Sequence, residues 1–223
     1  MTTVLVGGRP LTLLPEKAAF IAASGTLLVA DAHIGKAVSF RALGVPVPRG
    51  TTTETLAGLA TLVARTGARR IVFLGDFLHS ARAHAPATLA ALAAWRDAHR
   101  ALELVLVRGN HDDRAGDPPA ALGIRVVDEP FAQDGFALCH HPRRRAGEYV
   151  LAGHLHPCIS LGSRGWDHLR LPCFWFGDDL GVLPAFGAFT GMHPIRAGAT
   201  DRVYVVGDSV VAAMPPAGER FAA

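Results

Sequence analysis

Arg70-Ile-Val-Phe-Leu-Gly-Asp-Phe-Leu-His79 is the stretch of this 223-residue chain from which the fold can be read. After Arg70 comes a short run of branched and aromatic side chains, which Gly75-Asp76 ends abruptly. A run of that length, bounded by glycine and a polar residue, predicts a buried strand. The same cadence recurs on both sides. Thr26-Leu-Leu-Val-Ala30 runs into Asp31-Ala-His33, and Glu103-Leu-Val-Leu-Val107 into Gly109-Asn110-His111-Asp112. Further on, Phe136-Ala-Leu-Cys139 runs into His140-His141, and Tyr149-Val-Leu-Ala152 into Gly153-His154-Leu-His156.

Between the first three strands lie segments of helical period. The stretch 51–66 opens with Thr51-x-x-Glu54, the pattern of a capping box, puts Leu56, Leu59, Leu62 and Val63 on one face, and stops at Gly67. The stretch 85–100 has Pro86 near its start, where a missing N–H costs little, and Leu89, Leu92 and Ala93 on one stripe. Strand, helix, strand, helix, strand predicts a βαβ core with right-handed crossovers. After about residue 124 the chain turns β-rich, with hairpin turns expected at Asp134-Gly135 and Gly207-Asp208. With no repeat, low-complexity tract or linker in it, 1–223 is expected to form a single domain of two packed sheets.

Composition narrows the class. Half of the residues are hydrophobic and only 18% are charged, which excludes a disordered chain. The charge-free stretch 180–195 is interrupted by glycines and prolines, so no membrane span is expected, and the N-terminus lacks the pattern of a signal peptide. Cys139, Cys158 and Cys173 are odd in number, far apart and set in apolar surroundings, which predicts buried free thiols and a cytoplasmic protein. The formal charge of +3 permits an anionic partner without requiring one. Lys17 and Lys36 are the only lysines among 22 basic residues, and 11 histidines stand against two tyrosines.

Each polar motif alone is weak, since an Asp-x-His arises easily by chance. Together they are specific: successive strands end in carboxylate, amide and imidazole groups, where open α/β sheets place their sites. Asp31 and His33, like His154 and His156, are two apart and are expected to point to one side of an extended chain.

In type, order and spacing, these motifs resemble those of the calcineurin-like binuclear metallophosphoesterases over residues 31–156. The resemblance implies a four-layer αββα sandwich, two mixed β-sheets flanked by helices, with a two-metal centre at one end. Carried over residue by residue, Asp31, His33 and His156 would hold one metal, Asn110, His140 and His154 the other, and Asp76 would bridge them. Such a donor set suits manganese, iron or zinc, and is poor for a soft metal that wants thiolate. A bridging carboxylate can hold two cations at about 3.5–4 Å, where they stabilise the attacking and leaving oxygens of an in-line displacement at phosphorus. The cations also lower the pKa of a shared water, so hydroxide is available near neutral pH and no protein nucleophile is needed. His111 is the expected donor to the departing oxygen, with Asp112 or Asp113 keeping it protonated. His140 and His141 are adjacent, so only one can face the metals; His140 is preferred because it ends the apolar run, leaving His141 for substrate or for support of a ligand. His79 is expected to orient a ligand or substrate phosphate, or to make a structural hydrogen bond. His84, His99, His168 and His193 have no motif context and are expected to be structural.

A closer resemblance extends over nearly the whole chain. Ala30-Asp-Ala-His-Ile-Gly-Lys-Ala37, Arg108-Gly-Asn-His-Asp-Asp113, Ala152-Gly-His-Leu-His-Pro157, Leu171-Pro-Cys-Phe-Trp-Phe176 and the segment 183–191 are similar to the ligase-associated DNA damage response metallophosphoesterases of bacteria. That family implies a manganese-dependent endonuclease acting on single-stranded DNA in repair, associated with a DNA ligase, a helicase and an exonuclease. The competing expectation is a nucleotide or small-molecule phosphoesterase on the same centre. A third, a noncatalytic scaffold, is disfavoured because no ligand position is missing. Arg143, Arg144 and Arg145 follow His140-His141 closely and are expected to bind flanking phosphates near the metals, with Arg41, Arg49 and Arg164 as further candidates. Phe40 and Trp166 are the aromatic residues outside the expected core strands that could stack on bases. The apolar segment 174–189 is expected to expose aromatic surface and makes a homodimer plausible.

Overall fold

The computed structural model describes residues 1–47, 50–162 and 168–215, without the side chains of 161, 162 and 168. Arg49, Arg164 and Trp166 therefore lie outside the described residues. The chain opens with an antiparallel meander, β1 (Thr2–Val6), β2 (Arg9–Leu14), β3 (Ala18–Ile21) and β4 (Thr26–Val29). Parallel pairing then adds β5 (Arg70–Leu74), β6 (Glu103–Val107) and β7 (Ile124–Val127), giving a mixed sheet in the order β1-β2-β3-β4-β5-β6-β7. The connections carry α1 (Lys36–Ala42), α2 (Thr51–Thr66), α3 (Pro86–Ala98) and the short α4 (Asn110–Ala115). The expected βαβ core is thus present. Its extension by β1–β3 is marked in the sequence only by the alternation of Val4, Val6, Leu11 and Leu13 around the Gly7-Gly8 turn.

The second sheet begins with β8 (Phe131–Gln133) and β9 (Phe136–Leu138), joined at Asp134-Gly135, where φ is positive at both residues. β10 (Val150–Ala152) pairs parallel to β9 and to β13 (Leu180–Val182). β12 (His168–Phe176) connects β13 to β11 (Pro157–Gly162), which pairs with β14 (His193–Pro194); β15 (Arg202–Val206) and β16 (Val211–Ala213) extend from β12 through the expected turn after Val206. The sheets meet where Ala30 forms a parallel bridge with Ala185 and Phe186 N–H donates to the Ala30 carbonyl at 2.8 Å.

Because successive side chains of a strand face opposite ways, β4, β5 and β6 serve two cores. Leu27, Val29, Ile71, Phe73, Leu104 and Leu106 pack with Leu56, Leu59, Leu62 and Leu92 of α2 and α3. Leu28, Val72, Leu74, Val105 and Val107 instead meet Phe136, Leu138, Leu151, Phe174 and Phe176 of the second sheet. Strands buried on both faces read as continuous apolar runs, which is why they were legible. Each such side chain stabilises the fold by about 1.5–3 kcal/mol.

The architecture is the expected α/β sandwich of two mixed sheets, with one refinement. Among the described residues every α-helix precedes β7, and those of the shared core pack on the first sheet. The outer face of the second sheet, at Ile159, Cys173, Val203 and Val205, is covered by Ile195, Ala197 and Met214 rather than by a helix. Two local expectations change as well. Helix α2 starts after Gly50, at φ 92°, and no side-chain cap forms, so Thr51 lies inside the helix and the capping box is not made. Within 174–189, Phe174 and Phe176 are fully buried and Phe186 nearly so, whereas Phe189 at the end of the segment is exposed, so the exposed aromatic surface is smaller than the apolar run suggested. The three cysteines are free and buried, as expected, and no described helix is long and apolar enough to cross a membrane.

Candidate metal centre

The motif residues leave their strands in an unusual backbone conformation. Asp31 (φ 52°), His33 (47°), Asp76 (50°), His154 (70°) and His156 (48°) all lie in the left-handed region. That region costs a non-glycine residue of order 1–3 kcal/mol, and such residues persist where the surrounding structure fixes them, typically at functional sites. The convergence of Asp31 with His33, and of His154 with His156, therefore comes from left-handed turns and not from alternation along an extended strand. Hydrogen bonds hold the turns in place: His33 N–H donates to the Asp76 carbonyl at 2.9 Å, and Ile34 N–H to Phe77 at 2.8 Å. The glycines before the ligand positions have a steric cause. A methyl group at Gly75 would overlap the imidazole of His140, and one at Gly109 would overlap the Asp76 carboxylate.

Two groups of donor atoms form at the ends of β4, β5, β6, β9 and β10. In one, His140 Nε2 lies 2.9 Å from Asn110 Oδ1, 3.0 Å from His154 Nδ1 and 3.4 Å from Asp76 Oδ1. In the other, His156 Nε2 is 3.3 Å from His33 Nε2 and 3.6 Å from Asp31 Oδ1, while His33 Nε2 is 3.9 Å from Asp76 Oδ2. Asp76 stands between them, one carboxylate oxygen towards each. Asp31, Asp76 and His140 are buried, and Asp31 accepts the His154 N–H at 2.9 Å.

This donor set fits divalent cations. His140 Nδ1 lies 3.0 Å from the Leu74 carbonyl, which can only accept, so the ring proton sits on Nδ1 and Nε2 keeps its lone pair. That lone pair faces an amide oxygen, a carboxylate oxygen and a second imidazole. A convergence of acceptors at such distances is stabilised by a cation. Burial is the main cause of the low pKa values in the cluster. It pushes His140 down to about 4, against the Asp31 carboxylate and the Leu74 carbonyl, and holds His33 and His154 below the usual imidazole range. Burial also raises the Asp76 carboxyl, opposed by the His111 amide. Neutral imidazoles are the form that binds metal.

His111 is the second residue of α4, and its backbone N–H donates to Asp76 Oδ1 at 2.9 Å. Its Nδ1 lies 2.7 Å from the His79 carbonyl, which fixes the ring with Nε2 directed inward, 3.9 Å from Asp76 Oδ2. Asp112 does not play the expected part of keeping His111 protonated. Its Oδ1 accepts Leu78 N–H at 2.9 Å and its Oδ2 accepts Gly109 N–H at 3.0 Å, so it ties the two ligand loops together. Asp113 is exposed, which leaves Asp76 as the carboxylate facing His111. His79 stacks on His111, with centroids 4.7 Å apart, and its Nδ1 is 3.4 Å from His33 Nδ1. Of the adjacent pair, His140 enters the cluster while His141 pairs through Nδ1 with Glu129 Oε1 at 2.9 Å. Elsewhere, His84 lies 3.1 Å from the Ala115 carbonyl and His99 2.8 Å from that of Trp95, the structural bonds expected of them.

Arg144 and Arg145 are not where they were expected, whereas Arg143 stays at the turn after His141, its backbone N–H donating to the His141 carbonyl at 2.8 Å. β9 and β10 are parallel, so the segment joining them must travel back to the opposite end of the sandwich. There Arg144 pairs with Asp179, just before β13, at 2.6 Å, and Arg145 with Glu148 at 2.8 Å. Both line a hollow with Gly7 and Tyr149, away from the metal centre. Three residues beside the centre had not been singled out. Glu129 Oε2 accepts the backbone N–H groups of His140 and His141 at 2.8 and 2.9 Å. Lys36 interacts electrostatically with Asp31 and Asp76, and Phe189 packs edge-to-face on Phe40 at 5.4 Å. Lys36 had a sequence signal in its position three residues after His33, and Phe189 in its place within the apolar segment 174–189.

No family model and no curated protein matches the sequence. Among solved structures, the nuclease MPE of Pseudomonas putida superposes with a TM-score of 0.85 at 46% identity, over 96% of this chain and 99% of its own. YfcE, a phosphoesterase from E. coli, aligns at 13% identity over 83% of this chain and 95% of its own, with a TM-score of 0.41 that carries no weight. Near-complete coverage at almost half identity is a family relationship, and the chain belongs to the same metallophosphoesterase family as the Pseudomonas putida nuclease.

Proposed function

We propose that this chain is a hydrolase of phosphodiester bonds, a metal-dependent endonuclease that cuts single-stranded DNA internally in the course of repair. The observation that carries the metal dependence is the carboxylate of Asp76, with Oδ1 3.4 Å from His140 Nε2 and Oδ2 3.9 Å from His33 Nε2. Asp31, His33 and His156 would hold one cation and Asn110, His140 and His154 the other, with Asp76 shared; the set suits manganese, iron or zinc, and the resemblance to the ligase-associated proteins favours manganese. When bound, the cations supply positive charge for the phosphoryl oxygens and an activated water for attack.

The chain's own groups do the rest. Burial keeps the ligating imidazoles neutral. The Leu74 carbonyl fixes the His140 tautomer, and the His79 carbonyl takes the His111 Nδ1 proton with Nε2 towards the centre, where the doubly protonated ring would pass its Nε2 proton to the departing oxygen. Lys36 adds a cation at the rim. The nuclease activity of the Pseudomonas putida relative supports a nucleic-acid substrate. The resemblance to the ligase-associated proteins supports a single DNA strand, a cytoplasmic setting and functional association with a DNA ligase, a helicase and an exonuclease. Manganese-loaded protein should nick circular single-stranded DNA faster than it hydrolyses cyclic or mononucleotides. Activity confined to strand ends, or to the small nucleotides, would contradict the proposal.

A further inference from the structure

Phe189 is a large apolar side chain left 38% exposed in a position the fold has fixed with care. Its loop is tied to the metal centre, because Gly187 N–H donates to the carbonyl of Asp31 at 3.2 Å and a methyl group at Gly187 would press on the Ala32 carbonyl. Phe40, on α1, meets it edge-to-face at 5.4 Å and stands 6.1 Å from the imidazole of His79, which in turn contacts His33. Helix α1 is anchored at the same place, with Lys36 N–H donating to the His33 carbonyl at 3.1 Å, and Lys36 Nζ lies 5.9 Å from the Phe40 ring. An aromatic pair and an ammonium group thus stand beside the segment that carries Asp31 and His33, Lys36 and Phe40 on its continuation and Phe189 on the loop bonded to it.

We infer that Phe189, backed by Phe40, is a stacking platform for one unpaired nucleobase next to the phosphate held at the metal centre. The inference rests on the endonuclease function proposed above and says how a single strand is selected. A free base offers a π-face that any aromatic ring can cover, whereas a base inside a duplex has both faces occupied by its neighbours. Phe189 cannot hydrogen-bond to base edges, so the platform is indifferent to sequence. Lys36 Nζ stands 5.9 Å from the Phe40 ring and interacts with the Asp31 and Asp76 carboxylates, placed for a phosphate next to the stacked base.

The test uses manganese-loaded protein and a labelled single-stranded oligonucleotide with one abasic residue, mapped cut by cut against the intact strand. The parent protein should cut about tenfold less at one phosphate, at a fixed offset from the abasic residue, as expected for loss of one base–aromatic contact. In Phe189→Ala that depletion should disappear, and in Phe189→Trp it should remain. A parent protein indifferent to the abasic residue, or a Phe189→Ala variant that keeps the depletion, would overturn the inference while leaving the endonuclease function standing. A parent protein that hydrolyses methyl p-nitrophenyl phosphate but cuts no strand would remove the proposed function and the platform with it.

Discussion

The carboxylate of Glu129 clasps His141 twice, accepting its backbone N–H on Oε2 at 2.9 Å and meeting its Nδ1 through Oε1 at 2.9 Å. Oε2 also takes the backbone N–H of His140, so one side chain fixes the whole turn after β9. These hydrogen bonds hold the Glu129 carboxyl below its usual range, outweighing a burial effect that alone would raise it. His140 Nε2 is thereby set against Asn110, and the ring of His141 is turned towards the His154 ring, 4.8 Å away.

Glu129→Ala should therefore weaken metal binding by about ten- to 100-fold, the usual consequence of removing support behind a ligand. Glu129→Gln, which keeps an acceptor for the two amides, should recover part of it. Manganese titration of the three proteins measures this, and equal affinities would show that the turn holds itself.

Asp112 gives a stability prediction. It is 1% exposed and accepts the N–H groups of Leu78 and Gly109. Asp112→Ala would leave two donors unpaired at a cost of about 1–3 kcal/mol each. Denaturant unfolding should show a loss of that order, together with weaker metal retention because Gly109 precedes Asn110. A variant as stable as the parent would mean that water replaces the carboxylate.

The pH dependence follows from the buried imidazoles. Metal requires the neutral ring, and protonation on lowering the pH competes with it. Burial takes His140 down to about 4, so acid must go well below the ordinary imidazole value of 6.5 before that ligand is lost. Manganese affinity of the site formed by Asn110, His140 and His154, both of whose imidazoles burial lowers, should change little between about pH 8 and 6 and fall below about pH 5. An affinity that declines already from pH 7 would place the controlling histidine in solvent.

Arg144 and Arg145 yield a negative prediction. Their partners are Asp179 and Glu148, at the far end of the sandwich from the metal centre. Exposed pairs of this kind contribute about 0–1 kcal/mol. Charge reversal at both positions should leave the ratio of DNA cleavage to small-diester hydrolysis unchanged, and a selective loss on DNA would bring a second binding surface into play.

The ligand positions were legible because each ends an apolar run, and a strand buried on both faces announces itself by composition. The turns that bring them together were not, since left-handed φ at Asp31, His33, Asp76, His154 and His156 is imposed by the contacts of the folded chain. The fate of Arg144 and Arg145 depended on β9 and β10 being parallel, which reverses the direction of their connection and which no residue within it encodes. Glu129 reaches the site from a segment without a motif, and Phe189 from an apolar segment whose sequence gives no sign of its distance to the metal ligands, so only the folded arrangement brings them into view. Asp112 was misassigned because its nearness in sequence to His111 concealed its two backbone partners.

Counting metal ions tests the central claim, a centre built for two cations around Asp76, most directly. Chain freed of metal and titrated with manganese should bind two ions, His111→Ala should bind two and turn over more slowly, and Asp76→Ala should lose both high-affinity sites. A single ion in the parent protein, or two tight ions in Asp76→Ala, would contradict the shared-carboxylate centre.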